Sequence, residues 1–299
     1  MLTALLAAQL CLVIGRARTG RVLSMWRSGD TTFYVRDRRR WRELVADDGA
    51  RAMVHTRIKK ADTLVSGLRY TDGFHLAVAL SGRPRRVLFI GGGGAIGPRQ
   101  FAAFYPEADI DVVEVDSRIL CAARRFFGLV ESARLHAHLG DGRMFTVAAP
   151  DDCFDIVVLD AYGGAGRPVE RLASEEFFAI VRRKLRAGGV LCANLVGDAG
   201  RPRWHASGAA SAIALAFFGE CRLFLVPGQH GARRNFLAVA TRELPIGRWG
   251  EVTWRAQTLD RRVRFAAAIA RRPLHGTRES CAPQANDHTD EPAAVEPAP

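Results

Sequence analysis

Along Val87 to Leu195, apolar residues recur with two alternating periods. Short apolar runs have the length and β-branched content of strands: Val87–Ile90, Asp111–Glu114, Arg134–Leu139, Phe154–Leu159 and Val190–Leu195. Longer stretches between them repeat at helical spacing. Gln100–Tyr105 falls in one helix and Arg118–Phe127 forms another. Ser174–Leu185 is the most amphipathic, with Phe177, Phe178, Ile180, Val181 and Leu185 on its apolar face and a stop at Ala187-Gly-Gly189. Strands alternating with helices predict a mostly parallel sheet covered on both faces. Ser207–Phe218 predicts a further helix, and Arg222–Val226 and Phe236–Thr241 two last strands. Their short link favours a hairpin, which puts one antiparallel strand at the sheet edge. The expected fold is a Rossmann-like, seven-stranded, mostly parallel α/β sheet.

The flanking segments read differently. Thr31–Met53 alternates and is broken by Asp47-Asp-Gly49, a turn signal, so a small β-hairpin region precedes the main domain. Leu64–Leu80, with Tyr70, Phe74, Leu76 and Val78, predicts a helix. Leu259–Ala270 predicts a late helix. Beyond Pro273 large apolar residues nearly vanish, which predicts a disordered tail. The resulting divisions are an apolar N-terminal segment (1–28), hairpin and helix (29–82), the α/β domain (83–245), a C-terminal helix (246–272) and the tail (273–299). Leu2–Ile14 is apolar and is followed by Arg16, Arg18 and Arg21. It is shorter than the ~20 residues of a membrane span and lacks the basic start of a signal peptide. Three readings stay open: a helix packed on the domain, the stump of a span, or a weak anchor that brings residues 2–14 to a membrane.

Net charge of +12 and a pI near 10.3 would point to nucleic acid or an anionic surface. However, 40 of the 43 basic residues are arginine. That skew fits coding bias and a generic solvated surface, and it disfavours a nucleic-acid partner. The run Arg38-Arg-Arg-Trp-Arg42 reads as the exposed face of a charged edge strand. The six cysteines are scattered, without a CxxC pair, as expected for reduced thiols in a cytoplasmic protein.

The candidate chemistry sits at strand ends. Gly91, Gly92, Gly93 and Gly94 follow the first strand and let the backbone turn tightly against a ligand at a helix N-terminus. Glu114 ends the next strand, 23 positions after Gly91, where it is placed to accept both ribose hydroxyls of a nucleoside. Asp116 reads as a helix N-cap. Asp141, in Gly140-Asp-Gly142, is either an adenine amino contact, with Gly142 admitting the ring, or a plain turn. Asp160 ends the apolar run Ile156–Leu159 and overhangs the crevice, where a carboxylate can take a proton from an amine, hold a cation, or cap a loop. Asn194 is open between substrate contact and loop cap. His136 and His138 share a strand face without a third ligand, so no metal site is expected.

Together, Ile90-Gly-Gly-Gly-Gly94, Val113-Glu-Val-Asp116, Gly140-Asp-Gly142, Leu159-Asp160 and the stretch Ser174–Leu191 resemble the spermidine synthase (polyamine aminopropyltransferase) family. That family has the class I S-adenosylmethionine-dependent methyltransferase fold. The resemblance implies a transferase of polyamine biosynthesis whose co-substrate is S-adenosylmethionine or its decarboxylated form, with no metal. It implies that Gly91, Gly92, Gly93 and Glu114 hold the nucleoside, that Asp141 and Gly142 meet the adenine, and that Asp160 is the general base. Tyr70 and Asp72 fall near the family's Tyr-His-Glu segment and are implied to line the pocket of a small-molecule amine. Family analogy also implies a homo-oligomer. Methyl transfer from the same crevice, and a non-catalytic nucleoside-binding module, are the competing readings.

Three departures qualify this. Gly94 and Gly163 stand where the family carries Asp, and Thr71 where it often carries His. Two anions expected to hold a diamine are therefore missing. Without Asp at 94, nothing repels the carboxylate of S-adenosylmethionine, and Arg99 is close enough in sequence to pair with it.

Overall fold

The computed structural model describes residues 20–163, 169–198, 207–218, 221–227, 233–243 and 249–263. Strands β1 (Arg21–Ser28), β2 (Thr31–Arg38), β3 (Trp41–Asp47), β4 (Ala52–Lys59) and β5 (Asp62–Ser66) form one antiparallel meander in chain order. The predicted hairpin region is thus a five-stranded sheet, and it begins inside the stretch assigned to the apolar N-terminal segment. Helices α1 (Tyr70–Gly73) and α2 (His75–Ser81) lead into the main domain. There follow β6 (Arg86–Ile90), α3 (Ile96–Phe104), β7 (Asp109–Glu114), α4 (Ser117–Phe126), β8 (Leu135–Leu139) and α5 (Gly142–Ala148). Next come β9 (Phe154–Leu159), α6 (Glu175–Lys184), β10 (Leu185–Asp198), α7 (Ser207–Ala216), β11 (Cys221–Leu225), β12 (Arg233–Thr241) and α8 (Trp249–Val263).

The seven-stranded sheet has the order β11-β12-β10-β9-β6-β7-β8 and is parallel except for β12, as the fold class predicted. Its central strands are buried on both faces, which is why they read as unbroken apolar runs. Val87 and Phe89 of β6 join one core with Leu76, Phe101 and Val252. Leu88 and Ile90 join the other with Phe177, Phe178 and Ile213. A third cluster joins the two sheets, with Phe33, Val35, Leu44 and Ile58 packed against Ile96, Ile119 and Phe127.

Three expectations need correction. The helix predicted over 64–80 begins only at Tyr70. Asp62–Ser66 is a strand because it pairs with β4, Ile58 opposite Ser66, and cross-strand pairing outweighs a helical spacing of leucines. The antiparallel strand is not at the edge, since β12 lies between β10 and β11 and leaves β11 outermost. The late helix runs over Trp249–Val263, about ten residues earlier than predicted, and buries Val252 and Ala256. Residues 264–270 and the tail lie outside the described residues, as does Leu2–Ile14. Among the described residues no helix is long and apolar enough to cross a membrane.

The antiparallel sheet carries a buried charge cluster. The Glu43 carboxylate, only 1% exposed, accepts from Arg36 Nε at 2.8 Å and Arg57 Nε at 2.7 Å. Removing the acid strands two guanidinium groups, one of them itself buried. Glu43→Gln is expected to cost about 3 kcal/mol of stability, read as a lower urea midpoint of the full chain at unchanged m value. A loss below about 1 kcal/mol would mean that the cluster is screened like a surface pair.

Candidate active site

Backbone pairing aligns the strand ends. Ile90 of β6 stands opposite Val113 of β7 on one side and Leu159 of β9 on the other. The next residues, Gly91, Glu114 and Asp160, therefore emerge along one rim. The ladder continues past the strands, with Gly91 N–H donating to Val113 O (2.9 Å), Asp160 N–H to Ile90 O (2.8 Å) and Gly140 N–H to Glu114 O (2.9 Å). This rim is the carboxyl edge of an open parallel sheet, where ligands bind. It opens on a cavity of about 290 Å³ lined by Tyr70, Gly91, Gly92, Gly93, Glu114, Gly142 and Asp160, seven of the residues predicted from sequence.

Gly91 has φ of 95°, and a Cβ there would lie 2.3 Å from the Asp160 carbonyl oxygen, so only glycine fits this turn. Glu114 is buried and held by backbone. Gly92 N–H (3.0 Å) and Gly93 N–H (3.1 Å) donate to Oε2, and Asp116 N–H (3.0 Å) to Oε1. Oε2 thus already accepts two donors, while Oε1 keeps a lone pair for a further one, such as a hydroxyl. Asp116 caps α4 as predicted, accepting from Arg118 N–H.

Asp160 is the most perturbed acid of the cavity. Burial pushes its pKa up to about 7 and the nearby Glu114 charge adds to this, while hydrogen bonds from Asn194 and Tyr70 oppose it. Asn194 Nδ2 donates to Asp160 Oδ1 at 2.8 Å. Asn194 Oδ1 in turn accepts from Asn235 Nδ2 at 2.8 Å, and its carbonyl accepts from the Tyr162 hydroxyl at 2.5 Å. Tyr70, whose one hydroxyl hydrogen is shared between Asp160 and the His55 carbonyl (3.2 Å), is raised well above its ordinary value, by burial first and then by the Asp160 charge. The arrangement holds an ionisable carboxyl at the cavity wall, hydrogen-bonded from both sides.

Several predicted residues lie elsewhere. Asp141 sits at the rim, but its carboxylate caps α5, accepting from Arg143 N–H (2.8 Å) and Met144 N–H (3.1 Å), and pairs with Arg171 (2.5 Å). The turn expected there is present, and Asp141 also caps the helix that follows it. Gly142 is required by packing, since a Cβ there would lie 2.5 Å from Ile90 Cγ2. Asp72 lies behind the cavity wall and accepts from Gln100 Nε2 at 3.1 Å. Burial raises its pKa to about 7, opposed by Gln100 and by the Arg69 charge. Arg99 is turned away, donating to the Thr63 carbonyl (3.0 Å) and hydroxyl (2.7 Å), so it does not line the cavity. Sequence reading missed His55 and Thr56 of β4, Tyr162, Arg171 and Asn235, all of which line it. No local pattern marks them, because the antiparallel sheet and the β11–β12 pair bring most of them in from far along the chain.

Gly94 is explained by one of these. Its N–H donates to Thr56 Oγ1 (2.9 Å), and a Cβ would lie 2.5 Å from Thr56 Cγ2. The place a side chain at 94 would need is filled by β4. Overpacking of this kind costs roughly 1–3 kcal/mol. Gly94→Ala should lose that much in a denaturant titration, and adding Thr56→Ser should restore part of it. Strictly additive effects would show that the two positions do not meet.

Comparison with known proteins finds relatives in sequence and in fold. Residues 72–198 match the spermine/spermidine synthase domain. A polyamine aminopropyltransferase of Vibrio vulnificus (strain CMCP6) is 33% identical over 153 residues, 50% of this chain and 49% of that protein, so this chain spans about half the length of that relative. In solved structures, a probable spermidine synthase from Corynebacterium glutamicum ATCC 13032 superposes with a TM-score of 0.62 at 17% identity, over 78% of this chain and 86% of its own. Human methyltransferase-like protein 13 in complex with SAH superposes with a TM-score of 0.55 at 21% identity, over 66% and 92%. These last two likenesses are of fold.

Proposed function

We propose, from the premise that residues 72–198 are a spermine/spermidine synthase domain, that this protein is a transferase of polyamine biosynthesis. It binds S-adenosylmethionine or its decarboxylated form and passes an aminopropyl group to a small-molecule amine. The observation that carries this reading is Asp160, a carboxyl raised to about 7 and set in one cavity with Glu114. In this reading Glu114 accepts from the ribose at the lone pair left on Oε1, its other oxygen being held by Gly92 and Gly93 N–H. The amine nitrogen bonds to the carbon beside the sulfonium, the carbon–sulfur bond breaks, and its electron pair stays on sulfur. Asp160 takes the proton that the amine sheds. Asn194 and Tyr70 keep its oxygens aimed at the nitrogen, and the apolar wall of Phe74, Phe89 and Ile90 excludes water. Membrane contact through residues 2–14 and a homo-oligomer remain proposals on the grounds given above.

Only ionised Asp160 can accept a proton. With its pKa raised to about 7, turnover should climb with pH through that value and level off above it. Asp160→Asn should remove this limb and cut kcat by about 10² to 10⁴ while leaving nucleoside affinity nearly intact. Unchanged turnover would take Asp160 out of the mechanism.

Methyl transfer is the second reading, and Gly94 favours it. Strand β4 presents Thr56 there and the glycine loop carries no acid, so nothing at that point disfavours a carboxylate-bearing donor. Calorimetric titration is expected to show S-adenosylmethionine bound at least as tightly as the decarboxylated nucleoside. A preference of more than about tenfold for the decarboxylated form would overturn that expectation.

A further inference from the structure

The run Arg38-Arg-Arg-Trp-Arg42 does not lie on an edge strand. It forms the turn between β2 and β3 and opens β3, the middle strand of the N-terminal sheet. Backbone register gathers one end of that sheet around it. Arg21 of β1 stands opposite Asp37, Arg38 opposite Trp41, and Trp41 opposite Lys59 of β4. The turns project from this end. Arg39 and Arg40 are exposed in the first, and Lys60, whose N–H donates to the Arg40 carbonyl (2.9 Å), is exposed in the second. Arg42 Nη1 donates to the Phe126 carbonyl at 3.0 Å, which brings in the C-terminal end of α4, where Arg124 and Arg125 are exposed.

The acids beside these cations are few and already engaged. Asp37 accepts from Arg42 Nε at 2.8 Å and lies 3.7 Å from Lys60 Nζ. Glu131 pairs with Arg124 at 2.9 Å, and Asp62 Oδ1 accepts from Leu64 N–H at 3.2 Å. Among the described residues no carboxylate pairs with Arg38, Arg39 or Arg40. Like charges crowded at one end repel one another, and an anionic partner relieves the repulsion.

Gly20, just ahead of β1, lies against the same end. A Cβ on it would sit 2.7 Å from the Asp37 carbonyl oxygen and 3.3 Å from Arg38 Cβ. In sequence it is preceded by Arg18, Arg16 and the apolar run Leu2–Ile14. Positive charge and an apolar segment therefore reach one place, and stable attachment to a bilayer takes two such signals. Trp41, with the Arg40 guanidinium 5.5 Å from its ring, adds an aromatic of the kind favoured at headgroup level. A nucleic acid would meet the same charges but has no use for the apolar run. The cavity is lined from the opposite end of β4, by Met53 and Val54, so a surface seated on the basic end does not occupy it.

We propose that the basic end of the N-terminal sheet docks on an anionic phospholipid surface. The β2–β3 and β4–β5 turns face the headgroups, and the chain ahead of Gly20 meets the bilayer on the same side. This docking does not rest on the transferase reading.

The test is co-sedimentation of the full chain with vesicles of phosphatidylcholine alone and of phosphatidylcholine with about one-third phosphatidylglycerol. Binding to the anionic vesicles should be at least about tenfold tighter. It should fall steeply when KCl is raised from about 0.1 to about 1 M, which shortens the Debye length from roughly 10 to roughly 3 Å. Replacing Arg38→Gln, Arg39→Gln and Arg40→Gln together should weaken it about a hundredfold. Removing as many exposed charges elsewhere, by Arg51→Gln, Arg83→Gln and Arg85→Gln, should leave it within about threefold of the parent. Equal losses in the two variants would reduce the effect to net charge and overturn the proposal. Equal binding to the two kinds of vesicle, or binding to neither, would also overturn it. A short DNA duplex bound more tightly than the anionic vesicles at equal salt, and released by the substitutions at 38–40, would overturn it in favour of a nucleic-acid face.

Discussion

A half-buried carboxyl group at the tip of a central parallel strand is the constraint on which the site depends. Asp160 follows β9, which is flanked by β6 and β10, so two walls of apolar residues already surround it before any loop is added. Ionising an acid there is unfavourable, and its pKa rises accordingly. What keeps the group usable is a short line of donors, Asn235 to Asn194 to Asp160 on one side and Tyr70 on the other. Each comes from a different element, and none of them alone would orient the carboxyl.

The N-terminal sheet is the other half of that enclosure. Its β4 strand brings His55 and Thr56 over the glycine loop, and the packing of Phe33, Leu44 and Ile58 on Ile96 and Ile119 fixes the strand's height. Glu43, with its two arginines, ties β2, β3 and β4 together just behind that contact. The absence of an acid at position 94 is therefore part of a packing arrangement and not an isolated loss, since Thr56 occupies the volume and satisfies the Gly94 N–H. The consequence is a pocket whose charged lining is Glu114, Asp160 and Arg171, with no acid beside Gly94.

Legibility from sequence followed the range of the interactions involved. The parallel strands could be read because burial on both faces writes an unbroken apolar run, and Glu114 and Asp160 because each sits immediately after such a run. Asp116 could be read because capping is a contact between residues two apart. The helix expected over Leu64–Leu80 failed at its start because pairing of Ser66 with Ile58 is not visible in local spacing. The place of β12 inside the sheet failed for the same reason. Arg99 and Asp72 were close in sequence to the site but are turned into contacts with Thr63 and Gln100. Asp141 lies at the rim, yet its oxygens are committed to α5 and Arg171.

Composition and periodicity by themselves determined the α/β class, the strand ends that bear acids, and the glycine turn that must approach them. These are one-dimensional consequences of burial and backbone geometry, carried by residues within a few positions of each other. Only the tertiary structure decided which acids face the cavity and that Thr56 fills the space beside Gly94. Those facts depend on volumes and hydrogen bonds shared between segments as much as 180 residues apart, such as His55 and Asn235, and no local pattern encodes a distance of that kind.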